Sequence, residues 1–274
     1  MKAIIRSSMI WWGLLLPLQL LAHGVTTEQI KQITELIQRE PLNANLYLRR
    51  GELYRISGNA KAALEDYEQV QKLAPTMIEV DVLRARLSFD AKTPEMTQFV
   101  LDRFLKQHPT HTEALLLRAK ANAVLGEKNA AIQDYSQALA LLAHPKPDFY
   151  LARAELQLAV HHPEAALQGL EQGMAKLGAL IVLQLMALDI EVNLKRWNAA
   201  LTRLDLLTEQ APRKESWLIR RGEILWQAGR KVEAHQSINA GLEAISALPA
   251  YLQRTTAITE LTTKAKHLLG NSSR

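Results

Sequence analysis

The 274-residue chain contains no cysteine. No disulfide restrains it, so the fold stands on packing, and there is no thiolate for catalysis, metal binding or acylation as a bacterial lipoprotein. Aromatic residues are scarce, at 5% against 48% hydrophobic residues overall, so the core must be built from Leu, Ala, Ile and Val. Ala and Leu favour helix, and a shortage of aromatic and β-branched residues argues against sheets. With 12 glycines and 10 prolines, the chain has too few turn formers for a loop-rich β protein. The basic excess is small, 33 against 28 acidic residues, whereas a nucleic-acid-binding chain calls for a clustered basic face. A glycine-rich phosphate loop and a nucleophile elbow are also missing.

The N-terminus stands apart. Lys2 and Arg6 precede an apolar run from Met9 to Leu21, followed by "AHG". A basic region, a short apolar region and small residues behind it describe a secretory signal peptide, residues 1–22. The run holds Pro17 and Gln19 and falls short of the roughly 20 apolar residues of a membrane span. Cutting after Ala22 exposes His23; cutting after Gly24 exposes Val25, with Ala22 as the second small residue upstream. Removing Lys2 and Arg6 takes the 33 basic residues to 31 against 28 acidic ones, a net charge of +3. The expected location is the periplasm of a Gram-negative-type cell, with no membrane span in the mature chain.

What is abundant is self-similarity. "RRGELYRISGNAKAALEDY" from Arg49 returns as "RRGEILWQAGRKVEAHQSI" from Arg220, 171 residues later, which is five steps of 34 plus one. Stepping through from Gly51 gives Ala85, Ala119, Ala154, Leu188 and Gly222; a second track gives Ala63, Thr97, Ala131, Ala166, Ala200 and Ala234. A third holds large residues: Tyr67, Leu101, Tyr135, Leu170, Leu204 and Ile238. Pro41, Pro75, Pro109 and Pro212 mark boundaries, and the single inserted residue falls near Pro145 and Pro147. Leu46, Leu53 and Ile56 line one helix of the unit; Ala63, Tyr67, Val70 and Leu73 line a second. Gly58, Gly126 and Gly229 fall between the helices, where a left-handed residue closes a helix. One such hairpin cannot hide both apolar faces, but stacked copies can.

"NLYLRRGELYRISGNAKAALEDYEQVQKLAP" resembles a tetratricopeptide repeat, with Tyr47, Gly51, Tyr54, Ala63, Tyr67 and Pro75 in the family's slots. Ala119, Ala131, Tyr135 and Ala138 match in "EALLLRAKANAVLGEKNAAIQDYSQAL". The first-helix tyrosine is lost after copy one, and copies two, four and five are the most degenerate. The resemblance implies an all-α, right-handed superhelical solenoid of about six helix hairpins over residues 44–248. A leading half repeat occupies 23–43, with residues 27–41 as its helix. A capping helix and tail occupy 249–274, with Tyr251, Ile258, Leu261, Ala265 and Leu268 as one apolar stripe.

The residue before the small slot is Arg50, Arg84, Arg118, Arg153, Ala187 and Arg221. Sixteen residues after Arg50 and Arg118 stand Asp66 and Asp134, which predicts two structural ion pairs across hairpins. Arg84, Arg153 and Arg221 meet Val100, Gly169 and Ser237 instead, and must find other partners or snorkel to water. In this family the first helices line the concave surface, and the residue after the small slot points into it. That ladder reads Glu52, Arg86, Lys120, Glu155, Asp189 and Glu223; a companion row holds Arg55, Phe89, Ala123, Leu158, Val192 and Trp226. The expected ligand surface is therefore a bipolar groove for an extended peptide or partner helix. The acidic rungs Glu155, Asp189 and Glu223 argue against the acidic C-termini that the carboxylate-clamp members of the family grip.

No nucleophile, base and oxyanion donors assemble into a catalytic set, so the chain reads as a non-enzyme without cofactor or metal. His108 with His111, and His161 with His162, sit in turns as solvated histidines, and "LGALIVLQLMALDI" (177–190) reads as the buried first helix of copy five. His23, freed as an N-terminal residue, would chelate copper through its amine and ring. The sequence thus predicts a protein–protein interaction scaffold. An accessory protein delivering metal or maturing an exported enzyme is the alternative.

Overall fold

The computed structural model describes residues 16–270 of the chain, all helical and turn. The basic residues and most of the apolar run of the expected leader, up to residue 15, lie outside the described part. The chain divides into two compact units, Met1–Leu141 and Leu142–Arg274.

The first unit opens with α1 (Leu16–Arg39), which begins well before residue 27 because the helical pattern continues upstream. Three hairpins follow: α2 (Ala44–Ile56) with α3 (Ala60–Leu73), α4 (Glu79–Asp90) with α5 (Pro94–Gln107), and α6 (Thr112–Val124) with α7 (Lys128–Leu141). The second unit contains α8 (Pro147–Ala159) with α9 (Pro163–Leu177), α10 (Ile181–Asn193) with α11 (Trp197–Gln210), and α12 (Glu215–Gln227) with α13 (Lys231–Ser246). It ends in a short α14 (Ala250–Gln253) and α15 (Thr256–Gly270).

Local chemistry starts and stops these helices. Asn43 and Asn59 accept hydrogen bonds from the Asn45 and Ala62 amides at the starts of α2 and α3. Pro94, Pro147 and Pro163 take first-turn positions, where a missing N–H leaves nothing unsatisfied. At the hairpin turns, Gly58, Lys92, Gly126, His161, Lys195 and Gly229 all adopt left-handed backbone, with φ between 56° and 81°. The following amide then bonds back to the first helix, as Asn59 N–H does to Tyr54 O at 2.8 Å and Arg196 N–H to Glu191 O at 2.8 Å. Three copies therefore hold a lysine or histidine in a conformation that suits glycine.

The large-residue track forms the interior: Tyr67, Leu101, Leu170, Leu204 and Ile238 are fully buried, and the small track from Ala63 to Ala234 lies against it, also fully buried. At Gly51 a Cβ would lie 2.7 Å from Tyr67 Cε1, and at Gly222 2.3 Å from Ile238 Cγ1. Those two copies need the glycine for the helices to approach.

Three expectations are corrected. Ile56, the last residue of α2, lies past the packed turns and is exposed. Tyr251 falls outside the cap's stripe: the helix breaks after Gln253, which donates to Ser246 O and Leu248 O, and Tyr251 is left exposed on α14. Ile258 and Ala265 of α15 are buried as expected, with Leu261 and Leu268 packed beside them. In the 177–190 stretch, Leu183, Ala187, Leu188 and Ile190 are buried, but Leu180, Ile181, Val182 and Leu185 are exposed. They sit on the outer side of α10 and on the turn before it. No helix among the described residues is long and apolar enough to cross a membrane.

Candidate functional site

In the first unit, α2, α4 and α6 carry Glu52, Arg86 and Lys120 one helical repeat apart. Glu52 is enclosed by donors: Arg55 Nε at 3.0 Å, Tyr67 Oη at 2.5 Å and Arg86 Nη1 at 3.3 Å. Burial alone would raise the Glu52 carboxyl, but the hydrogen bonds from Arg55 and Tyr67, with the charges of Arg55 and Arg86, hold it below the ordinary carboxylate range. The same contact works on Tyr67 in the other sense. Burial, then the bond to anionic Glu52, pushes its phenol well above the ordinary tyrosine value. Arg55 also pairs with Asp90, and Arg86 with Glu113.

These contacts change the expected groove. Glu52, Arg55 and Arg86 are each other's partners and tie α2 to α4 and α4 to α6, so they offer a ligand little free charge. Phe89 packs on the core cluster around Leu101 and Ala114. Lys120 alone of the ladder in this unit is exposed and makes no ion pair among the described residues.

In the second unit Glu155 is likewise exposed and unpaired among the described residues. Asp189 accepts from Arg220 Nη2 at 2.9 Å. Glu223 is buried and taken by Arg220 Nη1 at 3.1 Å and by Lys264 Nζ of α15 at 2.5 Å, so the capping helix supplies the countercharge that a partner was expected to bring. Trp226 is half-buried and stacked on His235, with ring centroids 5.8 Å apart and Lys231 Nζ 5.4 Å from its ring. Val192 is buried in the core.

The two predicted cross-hairpin pairs lie at bonding distance and are bidentate. Arg50 reaches Asp66 at 2.7 and 2.9 Å, and Arg118 reaches Asp134 at the same two distances. Each arginine also spans backwards: Arg50 to Thr34 at 3.1 Å, and Arg118 to Asp102 at 2.8 Å. Sequence reasoning assigned them one partner; the second joins each hairpin to the helix before it.

Two segments match family models for the tetratricopeptide repeat, residues 44–77 and residues 100–148. The chain is a tetratricopeptide-repeat protein. Among solved structures it is similar to the C-terminal part of a TPR repeat-containing protein from Cytophaga hutchinsonii, at TM-score 0.63 and 12% identity, covering 85% of this chain and 95% of that one. PilW, described as a widely conserved type IV pilus biogenesis factor, matches at TM-score 0.53 and 19% identity over 71% of this chain and 90% of its own. A tetratricopeptide repeat protein from Parabacteroides merdae matches at TM-score 0.51 and 18% identity over 90% and 95%. At these identities the likeness is one of fold: all-α, a solenoid of helix hairpins. No curated protein is significantly similar in sequence.

Knowing the repeat register exposes what sequence reasoning missed. The second-helix column holding Asp66 and Asp134 continues to Arg203, and there the pair is inverted. Arg203 donates to Glu191 of α10 at 2.8 and 2.9 Å, and also pairs with Glu171. Ala187 stands where other repeats carry arginine; the charge has moved to the opposite helix. The signal was legible, since Glu191 fills the lost tyrosine slot twelve residues before Arg203. Arg221 finds Asp205 at 3.0 Å. Arg153 stays buried rather than snorkelling: its Nη2 is 3.2 Å from Gln172 Oε1, and a Cβ at Gly169 would lie 2.7 Å from that nitrogen. Burial lowers its guanidinium below the ordinary arginine value. Among the described residues Arg84 reaches only a neutral partner, Gln71 Oε1, at 2.7 Å.

The histidines take structural parts. His111 Nδ1 accepts from the Ala114 amide at 3.2 Å, capping α6, and both His108 and His111 lie against the Phe104 ring. His161 occupies a left-handed turn position, which explains a histidine where glycine is usual. The side chain of His23 lies outside the described part. Among the described residues no three His, Asp or Glu side chains gather as a metal site.

Proposed function

We propose that this tetratricopeptide-repeat protein is a non-enzymatic scaffold of the bacterial cell envelope, exported to the periplasm, which holds a protein or peptide partner on first helices of its hairpins. The observation that carries the reading is the state of Lys120 and Glu155. Each stands exposed on the first helix of its hairpin with no ion pair among the described residues, while the other ladder charges that pair do so within the chain. Side chains left uncommitted among ion-paired neighbours are natural contact points: Lys120, in the first unit, for an acidic group, and Glu155, in the second, for a basic one. The leader-like N-terminus supports the envelope assignment.

Affinity capture from an envelope extract tests this. Immobilised protein is expected to retain a defined partner at low salt, and Lys120→Glu combined with Glu155→Lys is expected to release it. Both side chains are exposed, so the double variant should keep its helicity and melting point. If capture survives the double reversal, the first-helix face is not the binding surface.

A further inference from the structure

The second helices of the first unit carry a different kind of surface. Between α3 and α5, with α4 as its floor, runs a crevice of about 1050 Å³. The same crevice recurs one repeat later between α5 and α7, where it measures about 250 Å³, and in the second unit between α11 and α13, where it measures about 330 Å³. In both small crevices the floor arginine bridges to a carboxylate of the preceding second helix: Arg118 to Asp102, and Arg221 to Asp205. Arg118 binds Asp134 of its own hairpin as well.

In the large crevice this device is missing. Arg84 holds the floor position, but Val100 replaces the aspartate sixteen residues on. Glu68, at the position of Asp102 and Asp205, is exposed and does not pair with Arg84. The helices that an arginine draws together elsewhere are left apart, and the apolar side chains Leu64, Met77, Met96 and Val100 line the opening. Met96 is 53% exposed and Leu64 38%. Around them stand Lys61, Arg84, Arg103 and Lys106, none ion-paired among the described residues, against Asp81 as the single lining carboxylate. Apolar side chains and basic groups on both walls, with a floor arginine that has no carboxylate, describe one occupant.

We propose that the α3–α5 crevice docks an acidic amphipathic helix of a partner protein. Its apolar ridge fills the space between Leu64 and Met96, and one of its carboxylates takes the place on Arg84 that aspartate holds in the neighbouring repeat. The adaptable methionines suit a ridge of leucines or other aliphatic residues. This site lies on the second helices and does not depend on the first-helix face.

The test is fluorescence anisotropy with a labelled synthetic peptide bearing leucines at i, i+3, i+4 and i+7 and glutamates elsewhere. Two comparison peptides carry lysine for every glutamate, or serine for every leucine. The acidic leucine peptide is expected to bind, more weakly as salt rises, and both comparison peptides to bind far less. Reversing Lys61→Glu, Arg103→Glu and Lys106→Glu together should weaken it by about tenfold or more, with helicity unchanged because all three are exposed. Val100→Asp, which gives Arg84 the carboxylate that Arg50 and Arg118 have, should occupy Arg84 and lower affinity. The double variant of Lys120 and Glu155 should bind the peptide as wild type does, which separates failure here from failure of the first-helix face. Equal binding of the lysine or serine peptide, no binding of the acidic one, or indifference to the triple reversal would overturn the proposal.

Discussion

Ion pairing in this chain is decided residue by residue, and exposure sets what each pair is worth. Asp66 is 5% exposed and clamps Arg50 bidentately, whereas Asp205 is 50% exposed and holds Arg221 through Nε alone at 3.0 Å. Removing the partner of a buried charge strands the other charge away from water, at about 3–5 kcal/mol, while an exposed pair contributes about 0–1 kcal/mol. Asp66→Ala is therefore expected to lower unfolding free energy by about 3 kcal/mol, the lower end because Arg50 retains some solvent contact and Thr34. Asp205→Ala should cost under about 1 kcal/mol. Urea titration of both variants checks the contrast; equal losses would mean that burial does not govern these pairs. The same reasoning revises Arg86. Reversing it would set a carboxylate against Glu52 and Glu113, so a charge swap there tests stability more than binding.

At the scale of the helix hairpin, the 34-residue period made most of the fold legible, because each track is a single structural demand repeated. Small residues mark close approach, large ones the core, and the turn column a left-handed residue. The groove was less legible for a geometric reason. Glu52 and Arg86 are one period apart, which places them side by side on neighbouring first helices. Opposite charges on adjacent rungs read as a bipolar ligand surface, yet adjacent rungs are close enough for an arginine to span. The α3–α5 crevice was less legible because Glu68 stands where Asp102 and Asp205 do, so the sequence offers Arg84 the same bridge that the structure shows it does not make. The turn column yields a sharp test. Lys195 sits at φ 56° while Gly229 takes φ 78° in the next turn. A non-glycine residue there costs about 1–2 kcal/mol in backbone sterics, against about 0.5–1 kcal/mol that glycine loses through unfolded-state entropy. Lys195→Gly should therefore stabilise by about 0.5–1 kcal/mol. A lower urea midpoint would show that the lysine side chain contributes more than its backbone strain removes.

For the whole molecule, the open matter is where the working chain begins. α1 runs from Leu16 to Arg39 and so spans both expected cleavage points, after Ala22 and after Gly24. Downstream of both, Ile33 and Ile37 are buried against Leu46, and Thr34 accepts from Arg50. A cut at either point would leave a helix that keeps every one of those contacts. It would also remove Lys2 and Arg6, lowering the net charge from +5 to +3, and the whole apolar run from Met9 to Leu21. The reading of residues 1–22 as a leader thus makes two linked predictions. Protein recovered from the periplasm should give His23 or Val25 as its first residue on N-terminal sequencing. A chain made from Val25 onward should melt with the full-length protein, since stability in a helical repeat array is a sum over local interfaces and none of those just named is lost. Recovery of a cytoplasmic chain beginning at Met1 would overturn the export assignment. A clearly lower melting point for the chain starting at Val25 would show that the upstream turns of α1 belong to the fold and not to a removable leader.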